Sequence, residues 1–343
     1  MHALCVRRDG LTPPEWLAQH RLLAYPLPVA STPSASDARR PCPLCGADDT
    51  APRWQKENLR VVRCRHCAML FASPVAPELA SGAFYDRLAV PFYLSPAKLA
   101  GDFAPSRFAR ELKLFRQFRP NGAVLDVGCS TGAYLHELQR RFPGDYSATG
   151  TDVAGAALDH AASRGIETVR AQFLEWDSGA RQFDAITFWA VLEHLVEPGK
   201  FLQRAAALLR PGGHCFALVP NLDSLAVRLL GAKYRYVMPD HLNYFSARTL
   251  RALAAKETTF EVVALRSTHF NPVVIAQDVR GGAARVPDEA RARLLQRTTA
   301  WKENAWLKPV QAIYAGFEKC LGAFHLADNL VIVLRKKSAR HSD

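Results

Sequence analysis

The sequence predicts an α/β protein: a doubly wound, mainly parallel sheet whose strands alternate with helices, with a small cysteine-bearing module ahead of it. Two observations carry this expectation. Short apolar runs at 123–127, 146–151, 183–189 and 215–219 are each separated from the next by a stretch of helical period. Strands spaced by helices need crossover connections, and crossovers give parallel pairing with both faces of the sheet covered. Upstream, Cys42-Pro43-Leu44-Cys45 and Cys64-Arg65-His66-Cys67 form a double C-x2-C pattern. With 343 residues, 49% hydrophobic and 22% charged, the chain can bury one core of ordinary size plus a smaller unit, which excludes a disordered or fibrous protein.

Taken in order, the first 30 residues carry Arg7, Arg8, Asp9 and early prolines where a signal peptide needs an unbroken apolar run. No run of about 18 uncharged apolar residues occurs, and a cytoplasmic protein is expected. Trp16, Leu17, Leu22 and Leu23 suggest one short helix, and residues 26–41, rich in Pro, Ser and Ala without an apolar period, read as a linker. The cysteine module spans 42–75 and a helical connection 76–120; the main domain runs from 121 to 337. Within it, Phe201, Leu202, Ala205, Leu208 and Leu209 outline a helix that should stop at a turn, Pro211-Gly212-Gly213. Two more strands are expected at 260–265 and 329–334, with a helical insertion over 287–325. In that insertion Trp306, Val310, Ile313, Tyr314, Phe317, Leu321 and Phe324 recur every three or four residues as one apolar face, suited to a core, a homodimer contact or a peripheral membrane surface.

The net charge of +12 is uneven: +4 over residues 1–75, +3 over 76–120, zero over 121–270 and +5 over 271–343. A neutral middle with basic flanks is first of all a solvated surface. Of the eight cysteines, Cys5, Cys129, Cys215 and Cys320 are scattered, so the pattern indicates a metal site plus reduced thiols rather than a disulfide framework. Two knuckles 18 residues apart match a four-thiolate tetrahedral site of Cys42, Cys45, Cys64 and Cys67. Four protein ligands leave no open position, so the metal is structural; zinc is expected, and iron accepts the same ligands.

The chemistry-bearing stretch of the main domain is Val124-Leu125-Asp126-Val127-Gly128-Cys129-Ser130-Thr131-Gly132, a strand entering a small-residue turn before a helix. Such a turn lets backbone approach a ligand, and the helix start offers free N–H groups. Thr149-Gly150-Thr151-Asp152 then places a carboxylate at the end of the next strand, 20 residues after Gly132, where a nucleotide-binding sheet accepts ribose hydroxyls.

Together with Phe183-Asp184-Ala185-Ile186-Thr187-Phe188-Trp189-Ala190-Val191-Leu192-Glu193-His194, Leu208-Leu209-Arg210-Pro211-Gly212-Gly213 and Pro239-Asp240-His241-Leu242-Asn243-Tyr244-Phe245-Ser246, these residues resemble the class I S-adenosylmethionine-dependent methyltransferases over about residues 105–335. Ser130 stands where the family's first motif has its middle glycine. The resemblance implies a Rossmann-like seven-stranded sheet and a site for S-adenosylmethionine. It implies that Asp126 and Gly128, in the Asp126–Gly132 motif that includes Ser130, contact the methionine moiety, and that Asp152 takes the ribose hydroxyls. Gln172 and Phe173 would lie around the adenine, and Trp189 and Ala190 would flank the sulfonium.

The cysteine module, Phe84-Tyr85-Asp86 and the Glu-His and Asp-His-x-x-Tyr-Phe-Ser motifs look most like bacterial methyltransferases of sugar and small-metabolite pathways. The acceptor implied is a small polar molecule, such as a nucleotide- or lipid-linked sugar, methylated on a hydroxyl or less readily on a carbon. Nucleic acid is not expected: Glu57, Asp48 and Asp49 dilute the charge of Arg60, Arg63 and Arg65, and no Asn/Asp-Pro-Pro-aromatic tetrapeptide follows the fourth strand. The two rival readings are a zinc-containing nucleic-acid methyltransferase and a non-catalytic cofactor-binding partner. The long segment 221–245 reads as a substrate cap whose Arg228, Lys233 and Arg235 would hold a diphosphate. For the acceptor proton, an unperturbed imidazole titrates near neutral pH, and His241 is the favoured base because it sits in the cap, ahead of His194, which follows a strand that must also support the cofactor. Glu193 would orient an imidazole or bind an acceptor hydroxyl, and Tyr85 and Tyr244 would close the pocket.

Overall fold

The computed structural model describes residues 39–281, 288–304, 306 and 308–338. The expected helix around Trp16–Leu23 and most of the linker therefore lie outside the described residues. Three strands open the described chain: β1 (Thr50–Lys56), β2 (Leu59–Cys64) and β3 (Leu70–Ala72). Short helices follow, α1 (Pro77–Ala80), α2 (Ala83–Leu88), a π-helical turn (Ala89–Tyr93), α3 (Pro96–Asp102) and α4 (Ala109–Phe118). The alternating part then runs β4 (Gly122–Val127), α5 (Ala133–Arg141), β5 (Tyr146–Asp152), α6 (Gly155–Ser163), β6 (Glu167–Arg170), β7 (Phe183–Trp189), α7 (Pro198–Leu208) and β8 (Leu209–Pro220). Beyond β8 lie α8 (Leu225–Leu230), the two-residue β9 (Asn243–Tyr244), α9 (Ala247–Lys256), β10 (Phe260–Thr268), α10 (Pro272–Gly281), α11 (Asp288–Glu303), α12 (Lys308–Ala323) and β11 (Asn329–Lys336).

The large sheet has seven strands in the order β10-β11-β8-β7-β4-β5-β6. β4 to β8 pair in parallel, and β11 runs antiparallel to both β8 and β10. Successive strands step from β4 outward through β5 to β6, and the chain then returns to place β7 on the other flank of β4. This reversal opens a crevice at the carboxyl ends of β4 and β7, the place where a doubly wound sheet takes its ligand. The central strands are nearly wholly buried, with Leu125, Ile186, Phe188, Phe216 and Ala217 at 0% exposure, as sheets covered on both faces require.

One local reading differs. α7 ends at Leu208 and the chain passes directly into β8, so Pro211-Gly212-Gly213 is not a turn outside the sheet. The register between β7 and β8 shifts there, from Phe183 opposite Leu209 to Ala185 opposite His214, and the glycines lie in that irregularity. Gly213 leaves only 2.8 Å between a Cβ and the Arg210 carbonyl, so the close backbone approach needs glycine.

A second, antiparallel sheet has the order β1-β2-β3-β9. Its fourth strand comes from the cap, with Leu70 opposite Tyr244 and Phe71 opposite Asn243. The cysteine segment thus shares a core with the main sheet: Cys42, Leu44, Val62, Cys64, Met69 and Phe71 pack in one buried cluster with Phe188, Leu192 and Phe245.

The insertion before β11 is helical, as expected, and α10 begins it earlier, at Pro272. Its apolar face is divided. Leu321 is buried and Tyr314 half-buried, whereas Trp306 (93%), Ile313 (77%) and Phe324 (71%) stand exposed along with Val310 and Phe317. No helix among the described residues is long and apolar enough to cross a membrane.

Candidate active site

The turn after β4 is shaped by positive φ angles at Gly128 (74°), Ser130 (50°) and Gly132 (72°). A Cβ at Gly128 would sit 2.7 Å from Val191 Cγ2, and one at Gly132 2.8 Å from Ala161 Cβ. Glycine is therefore required at both positions for sterics as well as for φ. Ser130 adopts the left-handed region without being glycine, as does Ala190 (φ 58°) at the end of β7. Strained non-glycine backbone at the carboxyl ends of two adjacent strands is the kind held in place around a ligand site.

Two carboxylates sit at this edge. Asp126 is buried and accepts the Thr187 hydroxyl at 2.6 Å; burial, with Asp152 nearby, pushes its pKa up to about 7 despite that bond. Asp152 Oδ2 accepts the N–H of Ser130 and Oδ1 that of Ala154, both at 2.8 Å. Burial raises the Asp152 pKa, and those N–H groups oppose the rise. The Ser130 hydroxyl is buried without a hydrogen-bond partner. A glycine-lined cradle, an unpartnered hydroxyl and two carboxylates fit a cationic amino-acid nucleoside such as S-adenosylmethionine.

Two expected cofactor contacts are engaged by other parts of the fold in this structure. Phe173 is 3% exposed and packs in the core between Phe188 and Phe201, with centroids at 5.9 and 5.5 Å, so it has no free face for an adenine. Its apolar bulk is better satisfied inside than at the crevice. Gln172 is exposed and its amide donates to the Ser81 carbonyl at 3.1 Å, tying β6's exit to the start of α2. Trp189 stands at the end of β7 as expected, its ring tilted against Tyr134 at 5.1 Å.

Beyond Trp189 a single 3-10 turn, Leu192–His194, presents the Glu-His pair beneath the cap. Side-chain ligand atoms of Glu193, His194 and His241 all lie within 4.8 Å of one another, a spacing that can also hold a cation. Nδ1 of His194 is 2.7 Å from the Asp240 carbonyl oxygen, to which only an N–H can donate, so Nε2 is the basic nitrogen. That Nε2 is 3.9 Å from Glu193 Oε1. Glu193 is 1% exposed, its Oε2 accepts no hydrogen bond, and burial pushes its pKa up to about 7 while His194 opposes this. The His241 ring meets His194 edge-on at 4.8 Å and stacks on Tyr236 at 6.1 Å. Tyr85 packs edge-on to His194 at 5.5 Å, and burial drives its phenol pKa far up. Tyr244 is buried, with its hydroxyl donating to the Met238 carbonyl at 3.3 Å.

Of the cap's basic residues, Arg235 is withdrawn from the expected diphosphate clamp. Arg235 is held in a buried ion pair with Asp278 at 2.6 Å, and Arg228 donates to the Asp223 carbonyl. A cation already neutralised inside the fold offers no charge to a phosphate.

Sequence reasoning missed two site-forming residues. Arg40 reaches across to residues 195–196 and 242–243, and Asp86 accepts the Gly155 N–H at 2.9 Å beside Asp152. Arg40 carries no local signal, and Asp86 is noted only within Phe84-Tyr85-Asp86 without a role, because each acts on partners far away in sequence.

At the cysteine module, Cys42 and Cys67 Sγ are 3.5 Å apart, as are Cys45 and Cys64. All four lie within 4.8 Å of one another. A tetrahedron with metal–sulfur bonds of about 2.3 Å has edges of about 3.8 Å, so the donor set fits such an ion.

Residues 101–265 match a family described as a methyltransferase domain. The chain is 34% identical over 236 residues to a ubiquinone biosynthesis O-methyltransferase of Caulobacter vibrioides, an overlap covering 62% of this chain and 84% of that protein. It is 28% identical over 191 residues to the protein of the same name from Cronobacter sakazakii, covering 50% and 77%. Among solved structures it resembles the N-methyltransferase NodS of Bradyrhizobium japonicum in complex with S-adenosylhomocysteine (TM-score 0.44, 16% identity, covering 73% of this chain and 97% of that one). This chain belongs to the class I S-adenosylmethionine-dependent methyltransferases. It is an enzyme of methyl transfer from S-adenosylmethionine.

Proposed function

We propose that this enzyme, in the cytoplasm, methylates a hydroxyl of a small polar, sugar-like acceptor held between the Leu192–His194 turn and the cap. The observation that carries the reading is the fixed tautomer of His194: Nδ1–H is committed to the Asp240 carbonyl, leaving a basic Nε2 beside a buried carboxylate. The O-methyltransferase relatives support oxygen as the accepting atom.

S-adenosylmethionine, when bound, supplies an electrophilic methyl group. Gly128, Ser130 and Gly132 would cradle its amino-acid part, Asp126 would face the ammonium, and Asp152 would take the ribose hydroxyls. Nε2 of His194 would take the proton that the acceptor hydroxyl gives up on methylation, with S-adenosylhomocysteine as the leaving group. Glu193 stabilises the imidazolium so formed. His241, enclosed by Tyr236 and His194, holds the His194 ring and lines the acceptor side; the sequence alone favoured it as the base. A structural zinc ion on Cys42, Cys45, Cys64 and Cys67 would anchor the small sheet, a role supported by the sulfur spacing.

The test is S-adenosylhomocysteine release with a panel of sugar, nucleotide-sugar and phenolic acceptors. Once a substrate is found, His194→Ala should lower turnover by about 10²-fold or more and leave cofactor affinity within about threefold. Turnover on phenols alone would sink the sugar-like acceptor. Normal turnover in the His194 variant would sink the base.

A further inference from the structure

Arg40, two residues before Cys42, joins the cysteine module to the catalytic turn. Its backbone N–H donates to Ser73 Oγ at 3.0 Å, fixing it on the small sheet. Its guanidinium then donates to the carbonyls of Leu195 (3.2 Å), Val196 and Leu242 (3.2 Å) and to Asn243 Oδ1 (3.0 Å). Asn243 in turn donates to the carbonyls of Leu192 (2.9 Å) and Leu195 (2.7 Å), and the Leu242 N–H to the Glu193 carbonyl (2.7 Å). The turn bearing Glu193 and His194 is thereby bracketed on both sides by one cation and one amide.

The fork donates to carbonyl and amide oxygens, of Leu195, Val196, Leu242 and Asn243. A divalent ion there would tie Cys42 to Cys45, Cys64 and Cys67, whose sulfurs all lie within 4.8 Å of one another. Metal loading also fixes Cys42 and so the backbone from which Arg40 reaches. Resting on the zinc and His194 readings above, we propose that metal occupancy of the four-cysteine site sets the geometry of the catalytic turn through Arg40, a positioning residue for Glu193 and His194.

The test uses the full chain, metal-loaded and after chelation, and reads amide hydrogen exchange. Metal removal should speed exchange of the His194 and Leu242 amides at least tenfold, with β4 unchanged and S-adenosylhomocysteine affinity within about threefold. Arg40→Ala should retain one metal per chain and show the same local loosening. Arg40→Lys, which keeps the charge without the fork and is the gentler change for folding, should restore part of the protection. A protein that binds metal yet keeps slow exchange at His194 and Leu242 after chelation overturns this proposal alone. So does an Arg40→Lys variant whose turn exchanges as in the unaltered chain. A protein that binds no metal overturns the zinc reading and this proposal with it.

Discussion

The N–H of Ser130 donates to Oδ2 of Asp152 at 2.8 Å, so the turn after β4 and the end of β5 are locked to each other before any ligand arrives. Asp152 holds the strained Ser130 in place, and in the proposed cofactor site its remaining lone pairs would serve a ribose. Asp152→Ala should lower S-adenosylhomocysteine affinity at least tenfold, since each charge-assisted bond lost costs about 1.5–3 kcal/mol. Calorimetry giving an unchanged affinity would remove Asp152 from the site.

Asp126 ionises at about 7 because it is buried. A cationic ammonium binds the ionised form, so cofactor affinity should fall as pH drops from 8 to 6. In Asp126→Asn the affinity should be weaker at pH 8 and flat across that range. A parallel slope in both proteins would assign the titration to another group.

Glu193 also has its pKa raised, to about 7. For an acid raised on folding, the charged form is the less stable one in the native state, so its contribution is intact below the unfolded value near 4.5 and is lost as pH rises to about 7. The full loss is roughly 3 kcal/mol. Glu193→Gln should therefore melt higher than the unaltered protein at pH 8, with the difference shrinking toward pH 5. A difference that grows on acidification would contradict the burial argument.

One tightly bound metal per chain is expected by elemental analysis of anaerobically purified protein. Cys45→Ser should lower that content and the melting temperature, since thiolate ligation contributes folding free energy. Because Leu44 and Phe71 share a core with Phe188 and Phe245, the loss should extend beyond the module to the cap. Melting of the cap unaffected by metal removal would show the two to be independent.

Much of this architecture was legible in the chain because its signals are local. The strand at 183–189 is bounded as its apolar run suggests, and Ser246 caps α9 with Thr249 in a reciprocal pair, as a serine before an apolar-periodic stretch should. The double C-x2-C spacing likewise announced four converging sulfurs. What stayed hidden depends on long-range pairing. No periodicity in a two-residue strand shows that Tyr244 will face Leu70, nor that Arg40 will cap residues 195–196. Phe173 was assigned to the crevice because of its position after a strand, but Phe188 and Phe201 offer that ring a drier neighbourhood. Arg235 was read as a free cation because Asp278, its partner, is more than forty residues away.

The pairing of β3 with β9 also dictates an order of events at the ribosome. The two strands are separated by about 170 residues, and at roughly 5–20 residues per second the second emerges some ten to thirty seconds after the first. Throughout that interval all four cysteines are already outside the exit tunnel while the edge of β3 waits for its neighbour. An ion captured then would hold the nascent hairpin closed and keep its thiols from oxidation until the cap arrives to complete the sheet.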